Sequence, residues 1–384
     1  MKTYKWFFLV MISSALVSGV LMSCGGTGEE ELIGDWQRRA AFPDVPRSYA
    51  ATFVIGNKGY VVGGWNGFAV RRNDVYVFDH TVGDNGSWDQ LDVFPGPRRS
   101  HSVGFSAGGF GYVGTGWDGD ETDMRDFWRY NPNSDEWTEV APLPDLARSR
   151  RGATAFSLSV GGKEYGYVGF GFHEGNFDRL YLLDIWRFDP DGQTVVNGET
   201  FDGSWTRVAE YGGSHKREGA SAFVIDNKAY ICCGKSNNTT VSEFWKFDPD
   251  GAAREGKQLW TKLRTMNDVN PDEDYDDDYP GLPRAYGVAY VVTTGGQLRG
   301  HIVGGDVSSG NASKNWEYDH DDDLWTQRTS FFNHRNTQSR EGMVSFSFPN
   351  TGRAFVGLGK RGTEYCDDMW EFFPLEDDYI YDDY

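Results

Sequence analysis

Cysteine is almost missing from this chain: 384 residues hold four, and one of them, Cys24, stands apart near the start. The other three, Cys232, Cys233 and Cys366, form no even set at regular spacing, which excludes a disulfide framework. No Cys/His spacing suits zinc either, and neither a metal nor a cofactor is expected. Positive charge is also short. Lys and Arg number 37 against 57 Asp and Glu, for a formal net charge of −20. So acidic a chain is a poor partner for nucleic acid or an anionic bilayer. Alanine and leucine are sparse, while glycines number 49 and aromatics reach 16%. That balance disfavours helices and favours strands joined by tight turns. Long hydrophobic runs are absent too, with the single exception of Trp6–Leu21.

That run is too short and too near the start for a convincing membrane span, and Lys2 and Lys5 precede it. It ends in Leu21-Met22-Ser23-Cys24, which resembles a bacterial lipobox. The resemblance implies that residues 1–23 are a lipoprotein signal peptide, cut before Cys24, whose thiol is then lipidated. Each acyl methylene buried contributes about 0.8 kcal/mol, so a multiply acylated Cys24 would be a stable anchor. The expected location is the outer membrane or cell surface, with a periplasm-facing orientation open. An ordinary secretory signal is the alternative. Residues 24–34 read as an acidic, glycine-rich tether.

The remainder repeats. Trp36, Trp88, Trp137, Trp205, Trp260 and Trp325 recur at intervals of roughly 50–70 residues. Before each of the last five stands an aromatic pair two residues apart: Tyr76/Phe78, Trp128/Tyr130, Trp186/Phe188, Trp245/Phe247 and Trp316/Tyr318. Trp370/Phe372 follows near the end. Residues two apart share one face of a strand. Upstream lie doublets ending in glycine: Gly63-Gly64, Thr115-Gly116, Phe170-Gly171, Cys233-Gly234, Gly304-Gly305 and Leu358-Gly359. Upstream again is an arginine with an aromatic six residues on: Arg47/Phe53, Arg99/Phe105, Arg150/Phe156, Arg217/Phe223, Arg284/Tyr290 and Arg340/Phe346.

This unit resembles the Kelch repeat, a four-stranded propeller blade. The resemblance spans residues 35–374 and implies an all-β, six-bladed Kelch-type β-propeller. Since the sixth repeat has no trailing Trp and Trp36 no repeat before it, the N-terminal strand is expected to complete the last blade and close the ring. Residues 375–384 read as an acidic tail, and Asn267–Pro283 as an acidic loop. Asp191–Gly203 and Gly251–Gln258 read as insertions in the turns before Trp205 and Trp260. Gly109–Gly114 fits the dinucleotide pattern G-x-G-x-x-G but covers a hairpin and a strand, with no helix to receive a phosphate. The copper chemistry of galactose oxidase, which carries similar blades, is not expected, because the seven histidines scatter across repeats.

Antiparallel order puts the six arginines and the loops after the doublets at one face. Expected ligand-binding residues are therefore Arg47, Arg99, Arg150, Arg217, Arg284 and Arg340, with Trp65, Trp117, Phe172, His173 and Lys235 from the loops. Tyr49, His101 and Tyr286 join them two residues beyond their arginines, where Gly152, Gly219 and Gly342 leave room in the other repeats. Arginine forks suit carboxylates and sulfates, and exposed indoles suit sugar faces or peptide side chains. Some Kelch adaptors grip acidic peptides with arginines at this position, and a Kelch-like sialic acid mutarotase binds an anionic sugar. A binding module for an anionic glycan or an acidic protein or peptide partner is thus the expectation. One alternative keeps the arginines structural, bonded to blade carbonyls. A second is a mutarotase- or lyase-like enzyme using Arg with His173 and Glu174, for which the focused carboxylates and histidines are few. A third is a pure interaction scaffold.

Overall fold

The computed structural model describes residues 32–377 apart from 69, 121–122, 176–177, 209–210, 252–258, 267–278, 280, 308–311 and 332–339. The signal peptide, Cys24, most of the tether and of the acidic loop, and tail residues 378–384 lie outside the described residues.

Glycine-rich, β-branched and aromatic sequence yields strands here almost without exception. The only described helix is a single turn, Asp145–Ala147. The strands form six antiparallel sheets of four main strands, together with small two- and three-stranded ribbons. The first sheet runs Ala51–Ile55, Lys58–Gly64, Arg72–Asp79, Ser87–Leu91, and the others repeat its order along the chain. The exception is the last, whose outer strand is Asp35–Arg39, paired with Met369–Phe373 so that Trp36 faces Phe372. The Trp36 indole donates to the Thr329 carbonyl and packs on Tyr290, Phe331 and Phe372. The expected turn insertion at Asp191–Gly203 is instead strand: Ile185–Val196 and Glu199–Arg207 extend past the sheet as one long hairpin.

The first strands of the sheets follow one another in a circle, the sixth lying against the first. Between sheets, the aromatic six residues after the arginine stacks on a ring of its own second strand in the first five blades, as Phe53 does on Tyr60 and Phe223 on Tyr230. In four blades it also covers a glycine of the adjacent sheet, and the equivalent position in the other two is alanine, Ala229 and Ala354. A Cβ on Gly111 would be driven into the Phe53 ring, and one on Gly166 into Phe105. Aromatic against a small residue is what lets the sheets pack face to face, and it accounts for that feature of the repeat.

The doublets have a backbone cause. Their first residues are left-handed, with φ of 51° to 70°, and their second residues lie at φ 89° to 102°. Thr, Phe, Cys and Leu tolerate the first geometry at some cost, whereas the second is open to glycine alone. Hence only the second glycine occurs in every repeat.

At the axis, six residues donate backbone N–H bonds in a closed circle: His101 to Tyr49, Gly152 to His101, Gly219 to Gly152, Tyr286 to Gly219, Gly342 to Tyr286 and Tyr49 to Gly342. All six have φ between 55° and 63°. Three carry rings and three carry none, because the rings fill the space. A Cβ on Gly219 would lie 2.9 Å from the Tyr286 ring, and one on Gly342 2.7 Å from Tyr49.

Candidate functional site

The six repeat arginines do reach one end of the sheets, but they do not face solvent. Five are fully buried and Arg340 is 5% exposed. Arg99 donates to Asp126 at 2.5 and 3.0 Å, to the Thr115 carbonyl at 3.1 Å and to the Pro97 carbonyl at 3.0 Å. Arg47 pairs with Asp74 and Asp44, Arg150 with Asp184, Arg217 with Glu243 and Arg340 with Asp368. The carboxylate that faces the guanidinium from the third strand stands two residues before the aromatic pair, and the accepted carbonyl belongs to the first residue of the doublet. Arg284 lacks the carboxylate, since Lys314 occupies that place, and donates to five carbonyls instead. Burial lowers its pKa to about 10, which leaves it charged. The expectation that these arginines contact a ligand is therefore corrected. They bind doublet to third strand inside each blade, and a ligand could reach them only by breaking it.

The pairs that follow the arginines depart from the repeat, and their solvent-facing side is made by the residues after the doublets, since Ser48, Ser100 and Ala285 are buried. One residue after each arginine, the chain pairs with the residue that follows the doublet: Ser48 with Trp65, Ser100 with Trp117, Arg151 with Phe172, Glu218 with Lys235, Ala285 with Asp306 and Glu341 with Lys360. The rim so built has an aromatic half over the first three blades and a charged half over the last three. The charged half pairs internally, Lys360 with Glu341 at 2.9 Å and Lys235 with Asp306 at 3.6 Å.

On the aromatic half, rings and guanidinium groups alternate. Arg71 Cζ lies 4.6 Å from the Trp65 ring and 4.5 Å from Trp117, and Arg151 Cζ lies 4.8 Å from Trp117 and 5.0 Å from Phe172. Tyr365 meets the Trp65 end of the ladder edge-on and Tyr181 the Phe172 end. Each indole also staples its own loop, Trp65 donating to the Phe68 carbonyl and Trp117 to that of Asp120. Both tryptophans are half-buried, so they are not the open sugar platforms expected of them. Their faces hold arginines.

The two arginines differ in partners. Arg151 donates to Asp123 at 3.0 Å and to Glu174 at 2.6 Å. Burial works against its charge, but these carboxylates outweigh it and raise its pKa. Arg71, only 5% exposed, donates its Nε–H to Ser100 Oγ at 3.0 Å and has no carboxylate within ion-pair distance among the described residues. Burial pulls its pKa down, partly offset through space by Tyr365, Asp118 and Asp120.

Ser100 Oγ also lies 3.0 Å from His101 Nδ1. Because Arg71 can only donate, the hydroxyl proton belongs on the His101 side, and His101 accepts it at Nδ1. That fits a neutral imidazole: burial, with Arg151 and Arg71 nearby, takes its pKa down to about 3. His101 stacks on Tyr49 at 3.8 Å, and Tyr286 meets both rings edge-on. The Tyr286 hydroxyl donates to Glu218 at 2.6 Å, and burial raises the pKa of both tyrosines. These rings close the axis above a cavity of about 130 Å³. That is well under the ~300–1,000 Å³ of a small-molecule pocket.

His173 and Glu174 are occupied. His173 Nδ1 lies 2.8 Å from the Ser149 carbonyl, and Glu174 bonds Arg151 and Arg179. The hydrogen bond from Arg151 leads the causes that hold Glu174 below its ordinary pKa, so it carries no proton to donate near neutrality. Lys235 lies over the Tyr286 ring at 5.3 Å. The structure thus joins Trp65, Trp117 and Phe172 in one ladder and Tyr49, His101 and Tyr286 in one cluster. Arg71, Ser100, Arg151 and Asp123 are the residues that repeat reading passes over. A signal was available in the arginine doublets Arg71-Arg72 and Arg150-Arg151, where one arginine serves a blade and its neighbour the face.

Residues 35–169 match the family described as the KLHDC2/KLHL20/DRC7 Kelch-repeats domain. Among 309 matching chains of solved structures is "Structure of YjhT", which is 16% identical with a TM-score of 0.62 over 86% of this chain and 95% of that one. No curated protein sequence matches the chain. Over residues 35–169 the repeats match Kelch repeats, and the fold is that of an all-β Kelch-type propeller.

Proposed function

The chain is a Kelch-type propeller, and from that premise we propose that it is a cell-envelope lipoprotein acting as a binding module for an anionic glycan or acidic partner. The observation that carries this reading is where the repeat is broken. Arginine, doublet and aromatic pair recur blade after blade and serve packing. The rim positions are not periodic in that way: Ser48 and Ser100 pair with tryptophans, Arg151 with Phe172, Glu218 and Glu341 with lysines and Ala285 with Asp306, four kinds of pair over six blades. Sequence that must only hold a fold can stay periodic; a surface that must fit one ligand cannot. The aromatic half offers indole and phenyl edges beside two cations, a setting for a ligand that is partly apolar and negatively charged.

A glycan array and an acidic-peptide array, each read with the parent and with the double variant Trp65→Ala/Trp117→Ala, test the reading. The parent retains a ligand that the variant loses while its melting stays cooperative. Unchanged binding by the variant would move the site to another face.

The anchor is assigned to Cys24 on its place at the end of the apolar run. Cys24→Ala is expected to lose palmitate labelling and detergent partitioning; a labelled variant contradicts the assignment.

A further inference from the structure

We propose that Arg71 is the seat of a single carboxylate, and that the site takes a ligand bearing one negative charge on an otherwise neutral body, as a uronic acid sugar does. This rests on the binding reading above and names the group that the ligand must carry. Each repeat arginine has a partner for its terminal nitrogens, Arg284 from carbonyls alone and the other five from carboxylates. Arg71 is as deeply set, at 5% exposure, yet only its Nε has a partner, Ser100 Oγ. Neither terminal nitrogen is sealed from solvent. Its guanidinium carbon lies against two indoles, and Gly119 leaves the space beside it, since a Cβ there would stand 2.9 Å from Nη1.

The geometry is that of a preorganised donor. The indoles and Ser100 hold the guanidinium in place, so little rotamer freedom remains to be lost when an anion arrives. Rings cover its faces, which leaves the Nη edge for approach, and a carboxylate meets that edge in plane with two parallel bonds. Beside it Phe68 and Val70 are exposed at 71% and 56%, apolar surface for the body of the ligand.

The charge count sets the class. The other cations of the ladder and of the charged half already carry carboxylate partners. Asp118 and Asp120 act on Arg71 through space, and the whole chain is strongly acidic, at −20. A buried guanidinium with its Nη edge unpaired among the described residues, set in an acidic field, welcomes one anionic group and repels a run of them, which disfavours a polyacidic peptide.

The test titrates the full-length chain in detergent with D-glucuronate, D-glucose and tetraglutamate, following tryptophan fluorescence. D-glucuronate is expected to bind, D-glucose and tetraglutamate at least about tenfold more weakly, with added salt weakening D-glucuronate. Arg71→Gln should lose about tenfold or more in D-glucuronate affinity, and Arg71→Lys should keep only part of it. Arg98→Gln removes an exposed cation next in the chain to the buried Arg99 and should change nothing. Three results overturn the proposal: no D-glucuronate binding at millimolar concentration, equal binding by Arg71→Gln, or tighter binding of tetraglutamate. If Arg71→Gln binds normally while Trp65→Ala/Trp117→Ala does not, the face stands and the seat is misplaced. If neither variant matters, the face falls as well.

Discussion

Arg150 and Arg151 are chain neighbours with opposite fates. Arg150 points into its blade, fully buried, and bonds Asp184 and the carbonyls of Phe170 and Ala147. Arg151 points to the rim, lies over Trp117 and Phe172, and reaches Asp123 and Glu174. Strand alternation sends adjacent residues to opposite sides, so one doublet supplies both a strut and a surface. Arg71 adds a third state, buried like the strut and unpaired like neither. Residue type therefore says little about role here. The partner decides it.

The largest effects are expected on the strut side. Arg99→Ala leaves Asp126 only the Trp128 indole N–H and removes the guanidinium from the Thr115 carbonyl, and breaking such a buried pair costs about 3–5 kcal/mol. Trp36→Ala should cost a similar ~3–5 kcal/mol, because it empties the space between Tyr290, Phe331 and Phe372 in the blade shared by the two ends of the chain. Denaturant unfolding measures both, and a variant within about 1 kcal/mol of the parent would break the comparison. Arg284→Ala sharpens it. No carboxylate is left bare there, so its loss should be smaller than that of Arg99→Ala, at about 1–3 kcal/mol.

The fold was legible because its cause is periodic. An aromatic that covers a small residue of the neighbouring blade, glycine in four blades and alanine in two, and a doublet whose second residue needs φ near 90°, recur in every blade, and recurrence is visible in one sequence. The role of the repeat arginines was not legible from the arginines alone. It becomes so with the acidic residue two positions before the aromatic pair, Asp74, Asp126, Asp184, Glu243 and Asp368, and with Lys314 as the exception. Arg71 has no counterpart at its position in the other blades, so no repeat alignment could raise it. Only contacts across blades, from Trp65 through Trp117 to Phe172, bring it forward.

A smaller effect belongs to the axial cluster. The folded His101 pKa of about 3 lies below the ordinary 6.5, so between those values the unfolded chain binds the proton and the folded one does not. Stability from this group is full above pH 6.5 and falls as pH drops. The loss by pH 5 is about 1–2 kcal/mol, reduced from the ideal linkage value because the ring is partly exposed. His101→Asn keeps a residue that tolerates the left-handed backbone and should flatten that part of the pH–melting curve. A curve as steep as the parent's would assign the pH dependence to His80 or His301, whose pKa values burial also lowers.

The most direct measurement sets Arg71→Gln beside Arg99→Ala and reads unfolding free energy and D-glucuronate affinity on the same samples. Arg71→Gln gives up two cation–π contacts and one hydrogen bond from the guanidinium to a neutral hydroxyl, so it should lose about 1–3 kcal/mol of stability while binding falls about tenfold or more. Arg99→Ala should lose about 3–5 kcal/mol, and at temperatures where it remains folded it should bind like the parent. If Arg71→Gln unfolds as readily as Arg99→Ala, or keeps its affinity while folded, then strut and seat are not separate and the account is wrong.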